Sequence, residues 1–353
     1  MFFIFKKFYK NFLSHFYLIT KFLPSIVIVT VFLLPFIIGI ITKYEIRVPD
    51  IEVLKKIQKI YYFKGYRNIW QYEEECRLLD KDLIYKPKIG KCDFNNLEFE
   101  TYLSFNKNGR INENYFNKKL PSIAVLGDSH AMGWGVNDEN TFSAMLQKLT
   151  QRKVYNLGVS SYSTEQEIKN LLKHPDIDKI NTIVIQYCDN DLSANLKFPM
   201  NTTIANKKFV KFNEIYQERK KTALSKNYVL AVRGMISYFL PEKIKSFIKT
   251  NILDIQISNP ANVDQKQHKK NILIILNYYQ DQLKDKKIII FFISGSNLQK
   301  TPDFWTESYK INFTEVDFID VDLDKDHYYL IDDHLNKSGH KKVAEVINQF
   351  IKN

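Results

Sequence analysis

At 353 residues and 45% hydrophobic side chains, the chain is long and apolar enough for one large domain with additions. Its net charge of +12 comes from lysines spread along the whole length. Solvated lysines are the plain reading of that charge, and a surface for anionic glycans or lipid headgroups the sharper one. No recognised nucleic-acid motif accompanies it, so nucleic acid is excluded as an expected partner.

In chain order, the first element is Phe22–Thr42, which carries no charged residue. It matches the roughly 20 residues that cross a bilayer core. Lys6, Lys7, Lys10 and Lys21 precede it, while Lys43 and Arg47 follow. The positive-inside rule then keeps the amino terminus in the cytoplasm, and Pro24 and Pro35 are tolerable in a membrane helix. A cleaved signal peptide has a shorter apolar core, about 7–15 residues, and small residues at its cleavage site. The sequence I-I-G-I-I-T-K offers no such site. The expectation is a basic cytoplasmic tail over 1–21, an uncleaved anchor over 22–42 and an extracytoplasmic remainder.

Residues 43–118 read as a stalk or small cap, with a helix over Ile51–Tyr62 and strand-like pieces such as Leu97–Phe105. Cys76 and Cys92 lie here, and an oxidising compartment lets them pair. Closing a loop of that size stabilises by about 3 kcal/mol in the chain-entropy model. Two unrelated thiols are the alternative, because spacing alone does not fix connectivity. Cys188, in an apolar run, reads as a small buried hydrophobe.

From residue 122 the pattern becomes regular. Ile123–Leu126, Val154–Leu157, Thr182–Tyr187, Lys287–Ile293 and Val316–Val321 read as strands. Thr141–Leu149 has helical spacing through Phe142, Met145, Leu146 and Leu149. Thr164 is placed to cap a helix through Lys173, with Glu167 completing a capping box. Lys337–Lys352 closes as an amphipathic helix. Strands alternating with helices predict an α/β fold, a three-layer αβα (flavodoxin-like) domain over 119–353 with a parallel sheet. Such sheets carry their sites beyond the carboxyl ends of the strands, where Ser129, Gly158, Asn190 and His334 fall. Residues 193–264 interrupt the alternation as an insertion. Its apolar stripe from Tyr228 to Leu253 (Val229, Val232, Ile236, Phe239, Leu240, Ile244, Phe247, Ile248) reads as cover for a core face. A lid, or a helix resting on a membrane surface, is the second reading.

Four blocks carry chemistry: G-D-S-H at 127–130, the glycine of N-L-G-V-S-S-Y-S at 158, the asparagine of C-D-N-D at 190, and D-D-H at 332–334. In this order, at strand ends, they resemble the SGNH (GDSL) hydrolase family over about residues 120–352. G-W-G-V-N-D-E-N-T-F at 133–142 resembles a membrane-anchored bacterial subgroup. That resemblance implies extracytoplasmic, periplasmic placement on the bacterial cytoplasmic membrane and no cofactor or metal.

The roles follow from chemistry as well. A serine hydroxyl is a weak nucleophile and needs a neutral imidazole to take its proton. His334 is the candidate base, Ser129 the nucleophile. A carboxylate must orient that ring, and Asp332 and Asp333 are both near in sequence. In an extended segment, positions two apart project to one side, which favours Asp332. The family more often places this acid three before the histidine, where this chain has Ile331. For the oxyanion the resemblance implies the N–H groups of Ser129 and Gly158 and the side-chain amide of Asn190. Cys188 stands where the family commonly has glycine, an expected narrowing of the pocket. Asp128 reads as a structural hydrogen-bonding residue, and His130 and His340 as ordinary loop and helix-start residues. Asp326, His327, Asp332, Asp333 and His334 as a metal cluster is the lesser alternative.

The expected activity is serine-dependent ester hydrolysis through an acyl-serine. The second reading passes the acyl group, as acetyl, to a hydroxyl of a surface polysaccharide, with a membrane acyl-exporting protein as partner. A third is a non-catalytic glycan-binding protein. The expected partners are an ester or O-acylated carbohydrate and, through residues 22–42, the lipid bilayer.

Overall fold

The computed structural model describes residues 2–112, 116–240, 265–293, 309–311 and 314–352. The chain divides into two compact units, Met1–Arg67 with Gln217–Ile257 and Asn68–Tyr216 with Ser258–Asn353.

In the first unit, α1 runs without a break over Phe2–Lys43, so the expected border between tail and anchor is no break in the helix. Its part Lys21–Lys43 is long and apolar enough to cross a membrane, with most of its surface facing outward. α2 (Glu52–Tyr61) places Val53, Ile57 and Tyr61 on one face, at the i, i+4, i+8 spacing that a helix stacks. These pack on Ile38 of α1 and on Ala231 and Met235. Gln58, fully buried, closes the turn after α1: its side chain accepts from Val48 N at 3.1 Å and donates to Ile46 O at 2.8 Å. A buried amide is tolerated there because it satisfies backbone groups that have no helical partner.

The second unit is built on one mixed sheet. β1 (Arg77–Asp80) and β2 (Ile84–Pro87) form a separate hairpin. β3 (Gly90–Asn96), β4 (Phe99–Asn106) and β5 (Gly109–Arg110) are antiparallel and join the edge of the main sheet at Asn156. β6 (Ser122–Leu126), α3 (Ser129–Met132), α4 (Phe142–Thr150), β7 (Val154–Asn156), α5 (Thr164–Leu172) and β8 (Ile180–Cys188) follow. Then come α6 (Leu192–Asn195), α7 (Thr202–Phe239, whose residues from Gln217 belong to the first unit), α8 (Gln265–Tyr278), β9 (Lys287–Ile293), β10 (Tyr309–Ile311), β11 (Thr314–Ile319) and α9 (Lys337–Lys352). The strand order is β10-β11-β9-β8-β6-β7-β5-β4-β3.

The sheet corrects one expectation: only its centre, β11-β9-β8-β6-β7, is parallel. The outer pairs β10-β11, β3-β4 and β4-β5 are antiparallel because their connections are too short for a crossover, and β5 meets β7 antiparallel at Arg110 and Asn156. Central strands read as unbroken apolar runs because helices cover both faces. Ile168, Leu171, Ile272 and Ile275 from α5 and α8 pack one face, and Phe142, Leu146, Val343 and Ile347 from α4 and α9 the other. After β6 the chain first places β7 on one side and then β8 on the other. The carboxyl end of β6 is therefore the switch point, where two connections diverge and leave a crevice.

Two further differences are local. The cap of α5 is Ser163 rather than Thr164, and its partner is Gln166, whose Oε1 accepts from Ser163 N at 3.1 Å. Thr164 and Glu167 are instead buried, and Thr164 Oγ1 accepts from Asn195 Nδ2 at 2.9 Å. The insertion begins with α6 and the 38-residue α7. Residues 241–264, including Ile244, Phe247 and Ile248 of the apolar stripe, lie outside the described residues.

Cys76 and Cys92 are joined by a disulfide with 5.2 Å between Cα atoms, tying the segment before β1 to β3.

Candidate active site

β6 is followed by Gly127, whose φ of +140° and close neighbours exclude a side chain: a Cβ would lie 2.7 Å from Gln186 Oε1 and 2.8 Å from Gln186 O. Gln186 on β8 is fully buried and accepts from Asp128 N at 3.2 Å and Ala131 N at 3.1 Å. Asp128 Oδ1 in turn accepts from His130 N at 3.0 Å. Three backbone amides are thus held by two side chains, and Ser129 is fixed at the end of the central strand. Asp128 is a structural hydrogen-bonding residue, in keeping with its reading from the sequence.

His334 lies on the loop before α9, closed by a bridge between Tyr328 and Leu335. Its Nε2 is 2.7 Å from Ser129 Oγ, and its Nδ1 is 2.6 Å from Asp332 Oδ1. The same Asp332 oxygen accepts from His334 N at 3.1 Å. Asp332 is fully buried, whereas the Asp333 side chain is 39% exposed and stands 3.5 Å from Nδ1. Burial and the shorter bond both single out Asp332, since a carboxylate shielded from water holds the imidazole more strongly.

Two aromatic neighbours enclose His334. The Trp134 indole stacks on His334, and Trp134 Nε1 donates to Asp332 Oδ2 at 3.3 Å. His130 is buried with its ring 4.7 Å from that of His334, so it is not the ordinary loop residue expected. Burial first, and the neighbouring His334 second, push its pKa down to about 4. His340 is also buried, accepts from Phe142 N at 3.2 Å, and is held well below its usual pKa by burial. It caps α4 against α9, a packing role the sequence did not show.

Trp134 is positioned by Arg110, a fully buried guanidinium on β5. Arg110 bonds Asp138 at 2.7 Å and donates to the carbonyls of Met132, Gly133 and Val136 at 2.7, 2.7 and 2.6 Å. Arginine suits this task because its fork presents five donors at once. Neither Arg110 nor Trp134 was singled out from the sequence. The G-W-G after the serine was the available signal for Trp134, and nothing local marks Arg110.

The oxyanion candidates are unequal. Ser129 opens α3, so its N–H has no intrahelical acceptor. Gly158 lies against α3, where a Cβ would meet Met132 N at 2.5 Å and Ala131 C at 2.6 Å. Its N–H is donated to Asn156 Oδ1 at 3.1 Å, so binding an oxyanion requires exchanging that bond. Asn190 is exposed and gives one amide hydrogen to Asp128 Oδ2 at 3.3 Å, leaving the other. Cys188 is buried at the end of β8, with its thiol raised well above the usual value by burial. Behind it, Glu167 and Asp191 form a buried carboxyl pair, both pushed upward by burial and then by neighbouring carboxylates. Among the described residues, Glu167 has no hydrogen-bond partner on either oxygen.

The metal alternative fares poorly on geometry. Asp332, Asp333 and His334 present ligand atoms within 4.8 Å of one another. Both nitrogens of His334 are committed to Ser129 and Asp332, and His327 Nδ1 accepts from Asp324 N at 3.0 Å. The two carboxylates face Nδ1, so a cation held by the three would have to break the His334–Asp332 bond.

Among solved structures, the chain is similar to a G-D-S-L family protein, described as lipolytic, from Desulfitobacterium hafniense DCB-2. The identity is 14% over 65% of this chain and 98% of that one, with a TM-score of 0.30. No curated protein matches. Residues 123–347 match the family described as GDSL-like lipase/acylhydrolase. That span holds Ser129, Gly158, Asn190, Asp332 and His334 and covers well over half the sequence, and the chain belongs to the GDSL-like lipase/acylhydrolase family.

Proposed function

We propose that this protein is a membrane-anchored serine esterase that works through an acyl-Ser129 intermediate. The observation that carries the reading is the unbroken chain Ser129 Oγ–His334 Nε2, His334 Nδ1–Asp332 Oδ1, at 2.7 and 2.6 Å. Asp332 holds the proton on Nδ1, which leaves Nε2 as the acceptor facing Ser129. Ser129 Oγ attacks the ester carbonyl as its proton passes to Nε2. The resulting imidazolium is offset by Asp332 and by the indole face of Trp134. The oxyanion is met by Ser129 N–H, by Asn190 and, after exchange with Asn156, by Gly158 N–H. Nε2 then protonates the leaving alkoxide, the acyl-serine forms, and water activated by the same nitrogen releases the acid.

The second reading sends the acyl group, as acetyl, to a hydroxyl of a surface polysaccharide instead of to water. The apolar helix Lys21–Lys43 favours it, because an anchor keeps the site beside membrane-exported acyl donors and surface glycans. On the positive-inside rule the catalytic unit stands outside the cytoplasmic membrane.

The test is hydrolysis of p-nitrophenyl acetate by the full chain in detergent, comparing wild type with Ser129→Ala and His334→Ala. Activity lost in both variants with circular dichroism unchanged supports the esterase. Activity indifferent to Ser129 sinks it, and acetyl transfer to a glycan faster than hydrolysis selects the transferase.

A further inference from the structure

We infer that Glu98, in the turn between β3 and β4, is a positioning residue for the catalytic triad. This rests on the reading of Ser129, His334 and Asp332 as that triad. Glu98 Oε2 accepts from the N–H groups of both Ile331 and Asp332 at 2.7 Å, and Oε1 accepts from Leu330 N at 3.0 Å. Three consecutive amides of the loop that carries acid and base therefore converge on one carboxylate, each in a charge-assisted bond.

A second contact from the same turn reinforces the first. The Phe99 ring packs on Tyr329 at 5.3 Å, and the Tyr329 hydroxyl donates to Gly135 O, next to Trp134. The loop is thus gripped at 329 by an aromatic pair and at 330–332 by Glu98. The gripping hairpin is itself stiff: β3 and β4 pair in register from Gly90–Phe105 to Asn96–Phe99, and Cys92 of β3 is disulfide-bonded.

The loop's own backbone closure consists of the Tyr328–Leu335 bridge and Tyr329 N to His334 O at 3.0 Å, and the amides of 330–332 between them go to Glu98. Water could satisfy these donors, but it would not fix where Asp332 stands. The two short bonds through His334 tolerate little movement, and a misplacement of about 1 Å in a catalytic constellation can cost roughly 100-fold. A hairpin outside the matched span 123–347 therefore completes the triad's geometry.

The experiment compares wild type, Glu98→Ala, Glu98→Gln and Glu98→Asp as full chains in detergent, with Ser129→Ala as control. It measures kcat and KM for p-nitrophenyl acetate, the rate of Ser129 labelling by a fluorophosphonate, and Tm. Glu98→Ala is expected to lower kcat and labelling by roughly 10- to 100-fold with KM within about twofold. Glu98→Gln is expected to recover most of the loss, because its amide oxygen can still accept from Ile331 and Asp332 N–H. Glu98→Asp keeps the charge but retracts the acceptor by one methylene, and it carries the test if Glu98→Ala does not fold. A folded Glu98→Ala or Glu98→Asp with wild-type kcat and labelling overturns the inference, as does Glu98→Gln performing no better than Glu98→Ala. Activity and labelling that survive in Ser129→Ala remove the triad reading itself, and this inference with it.

Discussion

The indole of Trp134 lies over the imidazole of His334 with 4.4 Å between ring centroids and 13° between planes, while its Nε1–H reaches Asp332 Oδ2 at 3.3 Å. One side chain thereby touches both the proposed base and the proposed acid. In that mechanism its π-face offsets the charge that the imidazole gains during attack, an interaction of about 0.5–2 kcal/mol. Trp134→Phe keeps a ring and loses the donor, so kcat is expected to fall severalfold. Trp134→Ala loses both and is expected to fall by a further ~2- to 30-fold, the range those energies convert to. Steady-state kinetics on p-nitrophenyl acetate reads the difference, and equal rates for the two variants would mean that the stack contributes nothing.

Asp332 and Asp333 are adjacent and chemically identical, yet their surroundings differ sharply. Asp332→Asn keeps the shape but presents an amide to Nδ1, which favours the wrong tautomer; a loss of about 10⁴ in kcat accompanies that change in the best-known triad. Asp333→Asn removes a half-exposed charge 3.5 Å from Nδ1 and is expected to alter kcat by no more than a few-fold. The pair of kcat values decides between them, and the reverse ranking would reassign the acid.

His130 should make the protein acid-sensitive. Its native pKa of about 4 lies below the 6.5 of the unfolded chain, so the native state holds it neutral. The groups facing it are His334, which lowers its pKa, and Asp128, Asp333 and Asp332, which raise it. A group depressed in the native state contributes fully above pH 6.5, and that contribution is lost as pH falls from 6.5 to about 4. The loss amounts to roughly 3 kcal/mol at 1.36 kcal/mol per unit. His130→Gln is expected to flatten the fall of Tm between pH 7 and pH 4.5. An identical fall in both proteins would show that the titration lies elsewhere.

Glu167 acts in the opposite direction. Burial raises its pKa above the usual carboxylate value, and Asp191 and Asp128 add to the effect. The unfolded chain then loses its proton first, so stability declines as pH rises from the ordinary value toward the native one. Glu167→Gln removes that titration at nearly constant shape. Tm of the variant is expected to exceed wild type by more at pH 8 than at pH 5, and a pH-independent difference would contradict the assignment.

Local chemistry made much of the catalytic unit legible in advance. The apolar runs of β6, β8 and β9 announce central strands because burial on both faces leaves no room for alternation. The G-D-S-H turn and the D-D-H loop fall at strand and helix ends, which places Ser129 and His334 on the same rim of the sheet. The two-residue spacing of an extended segment pointed to Asp332, the aspartate that the fold buries against the imidazole. These are features within one element, or within one strand-to-helix turn, and side-chain periodicity encodes them.

What only the tertiary structure decided involves residues far apart in the chain. Glu98 meets Asp332 across more than two hundred residues, Trp134 meets His334 across two hundred, and Arg110 reaches the Met132–Val136 turn from β5. The antiparallel edges of the sheet, Ser163 in place of Thr164 as the cap of α5, and the burial of His130 beside the base were also settled by packing. No spacing rule carries such information. A carboxylate that ends a hairpin turn looks like any solvated charge until the fold brings three consecutive amides within about 3 Å of it.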